Sequence, residues 1–150
     1  MLAGMTQEQT NEYNRDQCKS IAMGLEAYAN GEIYRCPECG EIITFDNEQY
    51  DEEAGTYTCQ ECDETFEEYE LEALSLYDYF DDVFDIEYRF GSDRQLRSVK
   101  LLVAYGGPNI YIDTASCTVE LYWWGDRASY PIDRDVCGEI DNIFEEIFNC

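Results

Sequence analysis

Two cysteine pairs, CPECG at residues 36–40 and CQEC at residues 59–62, decide how the middle of this 150-residue chain folds. Each pair holds two intervening residues, and 19 residues separate the first pair from the second. A Cys-x-x-Cys turn points two thiolates at one position, so two such turns can supply all four ligands of a tetrahedral ion. The spacing predicts a zinc site formed by Cys36, Cys39, Cys59 and Cys62. Two unrelated pairs of buried or oxidised cysteines are the alternative.

The predicted zinc site has a structural role, because four thiolates leave no open position for water or substrate. Residues 41–45 and 55–58 read as short strands that carry the two turns. A piece of about 35 residues with few large aliphatic side chains cannot bury enough surface to fold alone. Metal binding contributes on the order of 10 kcal/mol or more to folding in such sites. The ion is therefore expected to hold residues 32–68 together.

The two cysteine pairs and the strand-like segments between them resemble the zinc-ribbon family over residues 32–68. The resemblance implies one structural Zn²⁺ and a ribbon of short strands. The chain departs from the family at Asp63, which follows the second pair where ribbons often have glycine. This departure bears on the tightness of the second turn and not on the predicted metal site.

The charge of the chain is strongly negative and unevenly distributed. There are 34 acidic and 9 basic residues and no histidine, giving a net charge of −25. Residues 36–88 contain 19 Asp and Glu and no Lys or Arg, which leaves 15 acidic and all 9 basic residues for the rest. Like charges on one surface repel and destabilise the compact state. This concentration of carboxylates is expected to serve something other than stability.

Two helices are predicted on either side of the cysteine pairs. Thr6 to Gln9 reads as a capping box, and an apolar stripe at helical spacing follows it over residues 18–28. Residues 67–84 are predicted to form a second helix with an apolar side. Its opposite side would carry four carboxylates at helical spacing, Asp78, Asp81, Asp82 and Asp85. No basic residue lies on this side to relieve the repulsion between the four carboxylates.

The last third of the chain predicts an antiparallel meander of three or four strands covered by a helix. Apolar residues alternate with others over residues 86–90, 99–105 and 119–124, with turn signals between them. A closing helix from about Asp133 has a continuous apolar face. The predicted fold class is α+β. The expected organisation is an N-terminal helix at residues 1–31, a zinc ribbon at 32–68, and an acidic helix with an α+β domain at 69–150.

Catalysis has little support in this sequence. The absence of histidine removes the commonest general acid–base residue and the Ser-His and Cys-His nucleophile pairs. No phosphate-binding glycine loop is present, and no pair of carboxylates stands out from the many. The protein is expected not to be an enzyme. The other four cysteines are expected to be free thiols: Cys18, Cys117, Cys137 and Cys150.

A second resemblance covers roughly the last 65 residues. GGPNIYID at residues 106–113 and VELYWWGDRASYP at 119–131 look like small proteins carried by phages and mobile elements of gut Firmicutes. That resemblance implies a mobile-element origin and no particular chemistry. With no secretion signal and paired Cys-x-x-Cys motifs, a reducing cytoplasm is the expected location.

The charge pattern excludes direct nucleic-acid binding by the cysteine-rich part, because such binding depends on Lys and Arg that neutralise phosphates. A dense carboxylate surface instead suits a partner that is itself basic. The chain resembles DNA-mimic anti-restriction and anti-CRISPR inhibitors in this respect, so the expected partner is a basic nucleic-acid-binding protein of the host. The predicted contact residues are Asp78, Asp81, Asp82, Asp85, Glu61, Glu64, Glu67 and Glu68.

Two other functions remain open. An adaptor could dock a host protein through the ribbon and the aromatic residues Tyr122 and Trp124. An acidic enzyme of unknown type is the weaker alternative. Salt separates mimicry from docking, because electrostatic binding weakens steeply with ionic strength and an aromatic contact does not.

Overall fold

The structure is a computed structural model that describes residues 4–44 and 50–149. The chain divides into two compact units. We call Ala27–Tyr79 the cysteine unit, and Met1–Glu26 with Phe80–Cys150 the sheet unit. The architecture is α+β, with an N-terminal helix, antiparallel sheets, a C-terminal helix and a cluster of cysteines. The domain boundaries predicted from the sequence stay a prediction.

The N-terminal helix α1 spans Gln7–Ala29 and begins at the predicted capping box. The backbone N–H of Gln9 donates to the Thr6 hydroxyl (3.1 Å), and the backbone N–H of Thr6 donates to Oε1 of Gln9 (3.0 Å). Two otherwise unpaired donors of the first turn are thereby satisfied. The buried stripe contains the predicted Cys18 and Leu25, but it starts earlier with two polar residues, Thr10 and Asn14.

The cysteine unit contains two small antiparallel sheets built from very short strands. One sheet has the order β2-β1-β6 and the other β3-β4-β5. The strands are β1 Ile33–Arg35, β2 Ile42–Thr44, β3 Tyr50–Asp51, β4 Thr56–Thr58, β5 Thr65–Glu67 and β6 Glu72–Ala73. β2 and β4 confirm the two strands expected between the cysteine pairs, while Phe45 lies outside the described residues.

The single helix predicted over residues 67–84 is wrong. A 3₁₀ turn at Glu68–Glu70, β6, a one-turn helix α2 at Leu76–Tyr79 and a second 3₁₀ turn at Phe80–Asp82 occupy this segment, and β7 then begins at Asp85. The buried residues Leu71, Leu74 and Leu76 are spaced by three and two positions, which suits alternating turns and a short strand. Repulsion among the unrelieved carboxylates also opposes a long helix here.

The sheet unit is organised around a five-stranded antiparallel meander of order β11-β10-β9-β8-β7. Its strands are β7 Asp85–Phe90, β8 Leu96–Ala104, β9 Asn109–Asp113, β10 Thr118–Trp123 and β11 Asp126–Pro131. One face is apolar and fully buried, formed by Val99, Leu101, Ile112, Val119 and Leu121. The other face is polar and carries the charged residues of the strands, as expected when only one face of a sheet meets the core.

The strand β11 was not among the strands predicted from the sequence. It pairs with β10 over its whole length, from Trp123 opposite Asp126 to Thr118 opposite Pro131. β11 is an edge strand, so Pro131 at its end can lack a backbone donor without breaking the sheet. Its alternate residues are exposed and polar, which hid the strand in the sequence.

The C-terminal helix α3 spans Arg134–Phe148 and confirms the predicted closing helix. The Asp133 side chain caps it by accepting from the backbone N–H groups of Asp135 and Val136. α3 packs on the sheet against β8, and Phe144 lies edge-on to Phe80 with ring centroids 5.4 Å apart. None of the helices in the described part of the chain has the length and hydropathy that a bilayer-spanning helix requires.

Candidate metal centre

The first cysteine pair lies in a tight turn between β1 and β2. The backbone N–H of Cys36 donates to the Glu41 carbonyl (2.7 Å), and the N–H of Gly40 donates to the Cys36 carbonyl (2.9 Å). Gly40 has a φ of 79°, a left-handed conformation that glycine adopts at no steric cost. The turn therefore reverses the chain within five residues and leaves the thiols of Cys36 and Cys39 on one side.

The second pair repeats this geometry between β4 and β5. The N–H of Cys59 donates to the Glu64 carbonyl (2.9 Å), and the N–H of Asp63 donates to the Cys59 carbonyl (2.8 Å). Asp63 takes the place of Gly40 with a φ of 60°. Aspartate is one of the few residues other than glycine that visit this region routinely. The departure at Asp63 therefore leaves the second turn as tight as the first, because Asp63 closes it with the same hydrogen bond as Gly40 does.

The two turns bring four thiols together. The sulfurs of Cys36, Cys39, Cys59 and Cys62 all lie within 4.8 Å of one another. Cys36 Sγ is 3.7 Å from Cys62 Sγ, and Cys39 Sγ is 3.6 Å from Cys59 Sγ. A tetrahedron with Zn–S bonds of about 2.3 Å has sulfur–sulfur edges of about 3.8 Å. The cluster therefore has the ligand type, number and spacing of a site that can hold a metal ion.

The two ligands of each turn differ in their surroundings. Cys36 and Cys59 are buried, Cys39 is exposed and Cys62 is half-buried. Burial would raise the pKa of Cys36, but hydrogen bonds from the backbone N–H groups of Cys39 and Glu38 and from neighbouring thiols lower it to about 7. The pKa of Cys62 rises to about 12, since a backbone hydrogen bond at Glu64 is outweighed by burial and by the crowded thiols. A bound cation would relieve this crowding by stabilising all four thiolates.

The four thiols, which we call the metal cluster because they could hold an ion, lie at the small core of the cysteine unit. Cys36 and Cys59 pack with Ile43, Tyr57 and Leu71. Tyr57 is fully buried, and its ring lies 4.6 Å from that of Tyr50 and 5.7 Å from that of Tyr34. The pKa of Tyr57 is raised to about 12, mainly by burial and to a smaller extent by the nearby Tyr34 and Glu68. Few side chains support this unit, so an ion at the cluster would supply much of its cohesion.

The eight predicted contact carboxylates are all exposed. They do not share one helix, because the predicted helix is not formed. Glu61 and Glu64 flank the second cysteine turn, and Glu67 and Glu68 follow at the end of β5. Asp78 is in α2, where its carboxylate accepts from the backbone N–H of Ser75 (2.7 Å) and so caps the helical turn. Asp81, Asp82 and Asp85 belong to the sheet unit.

The acidic surface of the cysteine unit is neither buried nor neutralised. Every Asp and Glu that the structure describes in this unit is exposed, and none of them forms an ion pair with a described residue. The unit contains a single basic residue, Arg35, and its Nη1 donates to the carbonyl of Gly40 (2.9 Å). The one cation of the unit is thus used to hold the first cysteine turn.

The aromatic residues of the adaptor hypothesis have different surroundings. Trp124 is 81% exposed, with a φ of 49° in the turn between β10 and β11. Tyr122 is half-buried on the polar face of the sheet, and its hydroxyl donates to Glu120 (3.1 Å). Of the two aromatic residues of the adaptor hypothesis, Trp124 is therefore the one with a largely exposed ring.

Sequence reasoning missed a buried ion pair in the sheet unit. The guanidinium of Arg89 makes two hydrogen bonds to the carboxylate of Asp113, at 3.0 and 3.1 Å, and Asp113 is only 6% exposed. The only signal was an arginine among the alternating apolar residues of β7, and it did not identify the strand that carries the partner. The pair explains how β7 and β9, which are not adjacent, are fixed across β8.

Compared with known proteins, the chain matches no family model, no curated protein sequence and no solved structure. The likeness to zinc ribbons therefore stands on the geometry of the four cysteines. The likeness to mobile-element proteins stays a prediction from the sequence.

Proposed function

We propose that the protein is a non-enzymatic acidic inhibitor that occupies the basic nucleic-acid-binding cleft of another protein, with a structural zinc ion at the four cysteines. The observation that carries this proposal is the set of exposed and unpaired carboxylates of the cysteine unit. Duplex DNA presents about one negative charge per 1.7 Å of its axis. A surface of unneutralised carboxylates can offer a cationic cleft a comparable target and steer fast association.

A structural metal ion suits this function because it would stabilise the unit from its interior and leave the surface carboxylates free for a partner. A unit with a small apolar core would be destabilised by the self-repulsion of its carboxylates. Four thiolates around Zn²⁺ supply cohesion from inside and add a formal charge of −2. The second cysteine turn would hold Glu61 and Glu64 on a rigid backbone, which lowers the entropy lost on binding.

The resemblance to mobile-element proteins narrows the proposed target. Such elements benefit from blocking host defence, so the target would be a CRISPR effector nuclease or a restriction enzyme. The site of action would then be the host cytoplasm. This part of the proposal depends on the resemblance alone.

Charge reversal with a matched control tests the proposal. The variant Glu61→Lys/Glu64→Lys/Glu68→Lys alters the cysteine unit, and the control Glu12→Lys/Glu139→Lys/Glu145→Lys changes the net charge equally on the helices of the sheet unit. Partners are captured from a bacterial lysate at low salt, and each is then challenged with duplex DNA. Mimicry predicts that DNA displaces the protein and that only the first variant loses capture. Equal loss in both variants, or capture that DNA does not affect, would refute it.

An adaptor that docks through Trp124 is the second candidate, favoured by the 81% exposure of that side chain. The two candidates differ in salt dependence. Raising the salt from about 50 to 500 mM should weaken mimicry by orders of magnitude and leave an aromatic contact nearly unchanged. Trp124→Ser should abolish binding only if the adaptor hypothesis is correct.

A further inference from the structure

An open cleft of about 540 Å³ lies at the β11 edge of the five-stranded sheet and is lined by residues of α1, β10 and β11. Its lining combines two arginines, one from α1 and one from β11, with small hydroxyl and amide side chains. The volume lies within the range of small-molecule sites, about 300–1,000 Å³. The cleft lies entirely in the sheet unit and shares no residue with the metal cluster or the predicted contact carboxylates.

The two arginines of the cleft are free cations. In the described part of the chain, neither Arg15 nor Arg127 forms an ion pair, although acidic residues outnumber basic ones by 34 to 9. Each guanidinium is instead held over a ring, Arg15 over Tyr130 at 5.5 Å and Arg127 over Tyr122 at 5.9 Å. Such stacking orients the planar fork and leaves its N–H edges able to bind an anion.

The carboxylate in the lining does not cancel these cations. Glu120 lies 3.5 Å from Nζ of Lys100 and accepts a hydrogen bond from the Tyr122 hydroxyl (3.1 Å). Its charge is therefore balanced by Lys100 on the neighbouring part of the same face. Of the charged residues that line the cleft, two are arginines and one is a carboxylate that is already paired with Lys100.

The remaining lining groups are hydrogen-bonding groups of small size. The hydroxyls of Ser116 and Thr118 are 2.7 Å apart, and Ser129 is opposite Glu120 in the pairing of β10 with β11. Asn11 accepts from Nε2 of Gln7 through its Oδ1 (2.9 Å), which leaves the amide N–H groups of Asn11 as donors. These groups can complete the coordination of an oxyanion that the arginines bind first.

We propose that this cleft binds a small molecule carrying a phosphate monoester. Two guanidinium forks and several hydroxyl and amide donors match a tetrahedral dianion, whose three terminal oxygens can each accept more than one hydrogen bond. A single carboxylate has only two oxygens and would leave donors unused. The volume leaves room for an organic group attached to the phosphate.

Titration of the zinc-loaded protein with adenosine monophosphate and with inorganic phosphate, at constant ionic strength, tests the proposal by calorimetry. Succinate is the third probe and represents carboxylate ligands. We expect the monophosphate to bind, and Arg127→Gln and Arg15→Gln each to weaken it about tenfold or more. Arg127→Lys, which keeps the charge but loses the fork, should fall between the wild type and Arg127→Gln.

Arg94→Gln is the matched control, because Arg94 is an exposed arginine in the β7–β8 turn and does not line the cleft. It should bind the monophosphate as the wild type does. Equal weakening in this variant would show a general effect of net charge and overturn the proposal. So would tighter binding of succinate than of both phosphates, or the absence of any binding heat up to millimolar concentrations. Thermal unfolding of each variant shows whether a loss of binding is a loss of fold.

Discussion

The two units of this protein are stabilised in different ways. In the cysteine unit the buried side chains are few, the strands have two or three residues, and the carboxylates that the structure describes are exposed and form no ion pair. The sheet unit has a layer of fully buried aliphatic residues, and three of its basic residues, Arg89, Arg97 and Lys100, pair with acids. We infer that a metal ion at the four cysteines would allow the cysteine unit to carry a surface charge that its small core alone would not support.

Removal of the metal should give the largest difference between the units. The variant Cys36→Ser, or treatment with a chelator, should cost the cysteine unit on the order of 10 kcal/mol of folding free energy, because such sites fold only when metal is bound. Hydrogen exchange should show loss of protection in residues 27–79 and continued protection of β8–β10. Metal analysis should find one zinc per chain in the wild type and in the control Cys117→Ser. Protection of residues 27–79 without metal would contradict the idea that zinc stabilises this unit.

A core truncation in the sheet unit should lower the stability of that unit by an amount that does not depend on metal. Leu121 is fully buried on the apolar face of the sheet, so Leu121→Ala should lower the free energy of unfolding by about 3 kcal/mol through lost burial and a cavity. The loss should be the same with and without chelator, as measured by urea unfolding of the sheet unit. If the loss of unfolding free energy depends on zinc, the sheet unit is not stabilised by packing alone and the proposed difference between the units is wrong.

The buried ion pair of the sheet unit should give a smaller, pH-dependent effect. Burial would raise the pKa of Asp113, but hydrogen bonds from Arg89 and from the backbone N–H of Ala115 outweigh it and lower the pKa. The stabilisation is thus complete above the unfolded pKa of about 3.9 and is lost as the pH falls through the folded pKa. Asp113→Asn should cost about 2 kcal/mol at neutral pH and remove this acid dependence. The pKa of Asp93 is also lowered, first by a hydrogen bond from the backbone N–H of Gln95 and then by Arg97. Because this pair is exposed, Asp93→Asn should cost less than Asp113→Asn and remove a smaller part of the acid dependence.

The smallest predicted effect compares the two cysteine turns. Asp63 adopts the left-handed conformation that Gly40 adopts in the first turn. Asp63→Gly should stabilise the metal-bound unit by about 0.5 kcal/mol, because glycine enters this region without strain. Asp63→Asn separates conformation from charge, since it removes the carboxylate and keeps the β-carbon. If both variants gain equally in thermal unfolding, repulsion and not backbone strain limits the turn.

The metal cluster was predictable because its spacing leaves little choice. Two Cys-x-x-Cys pairs at this distance are typical of one shared metal site, and the four thiols of Cys36, Cys39, Cys59 and Cys62 do come together. The first and last helices were also predictable, since Thr6 and Asp133 provide side-chain caps at the start of clear patterns. In these segments local hydrogen bonding and apolar periodicity agree.

The segment after the second cysteine pair could not be predicted because its local signals conflict. Leu76 and Phe80 have helical spacing, but Ser75 and Asp78 start a helical turn too late for a long helix. β11 was hidden for another reason, because its pairing with β10 is a long-range contact and its exposed residues are polar. The cleft with Arg15 and Arg127 was equally hidden, because the residues that line it are more than 100 positions apart in the sequence.

The order of the two units along the chain has a consequence for biosynthesis. The cysteine unit is one continuous segment, whereas the sheet unit combines the first residues with the last. During translation the four thiols leave the ribosome long before β10 and α3 are made, and domains generally fold as their residues emerge. We therefore expect zinc to be acquired by the nascent chain, while α1 waits for its packing partners.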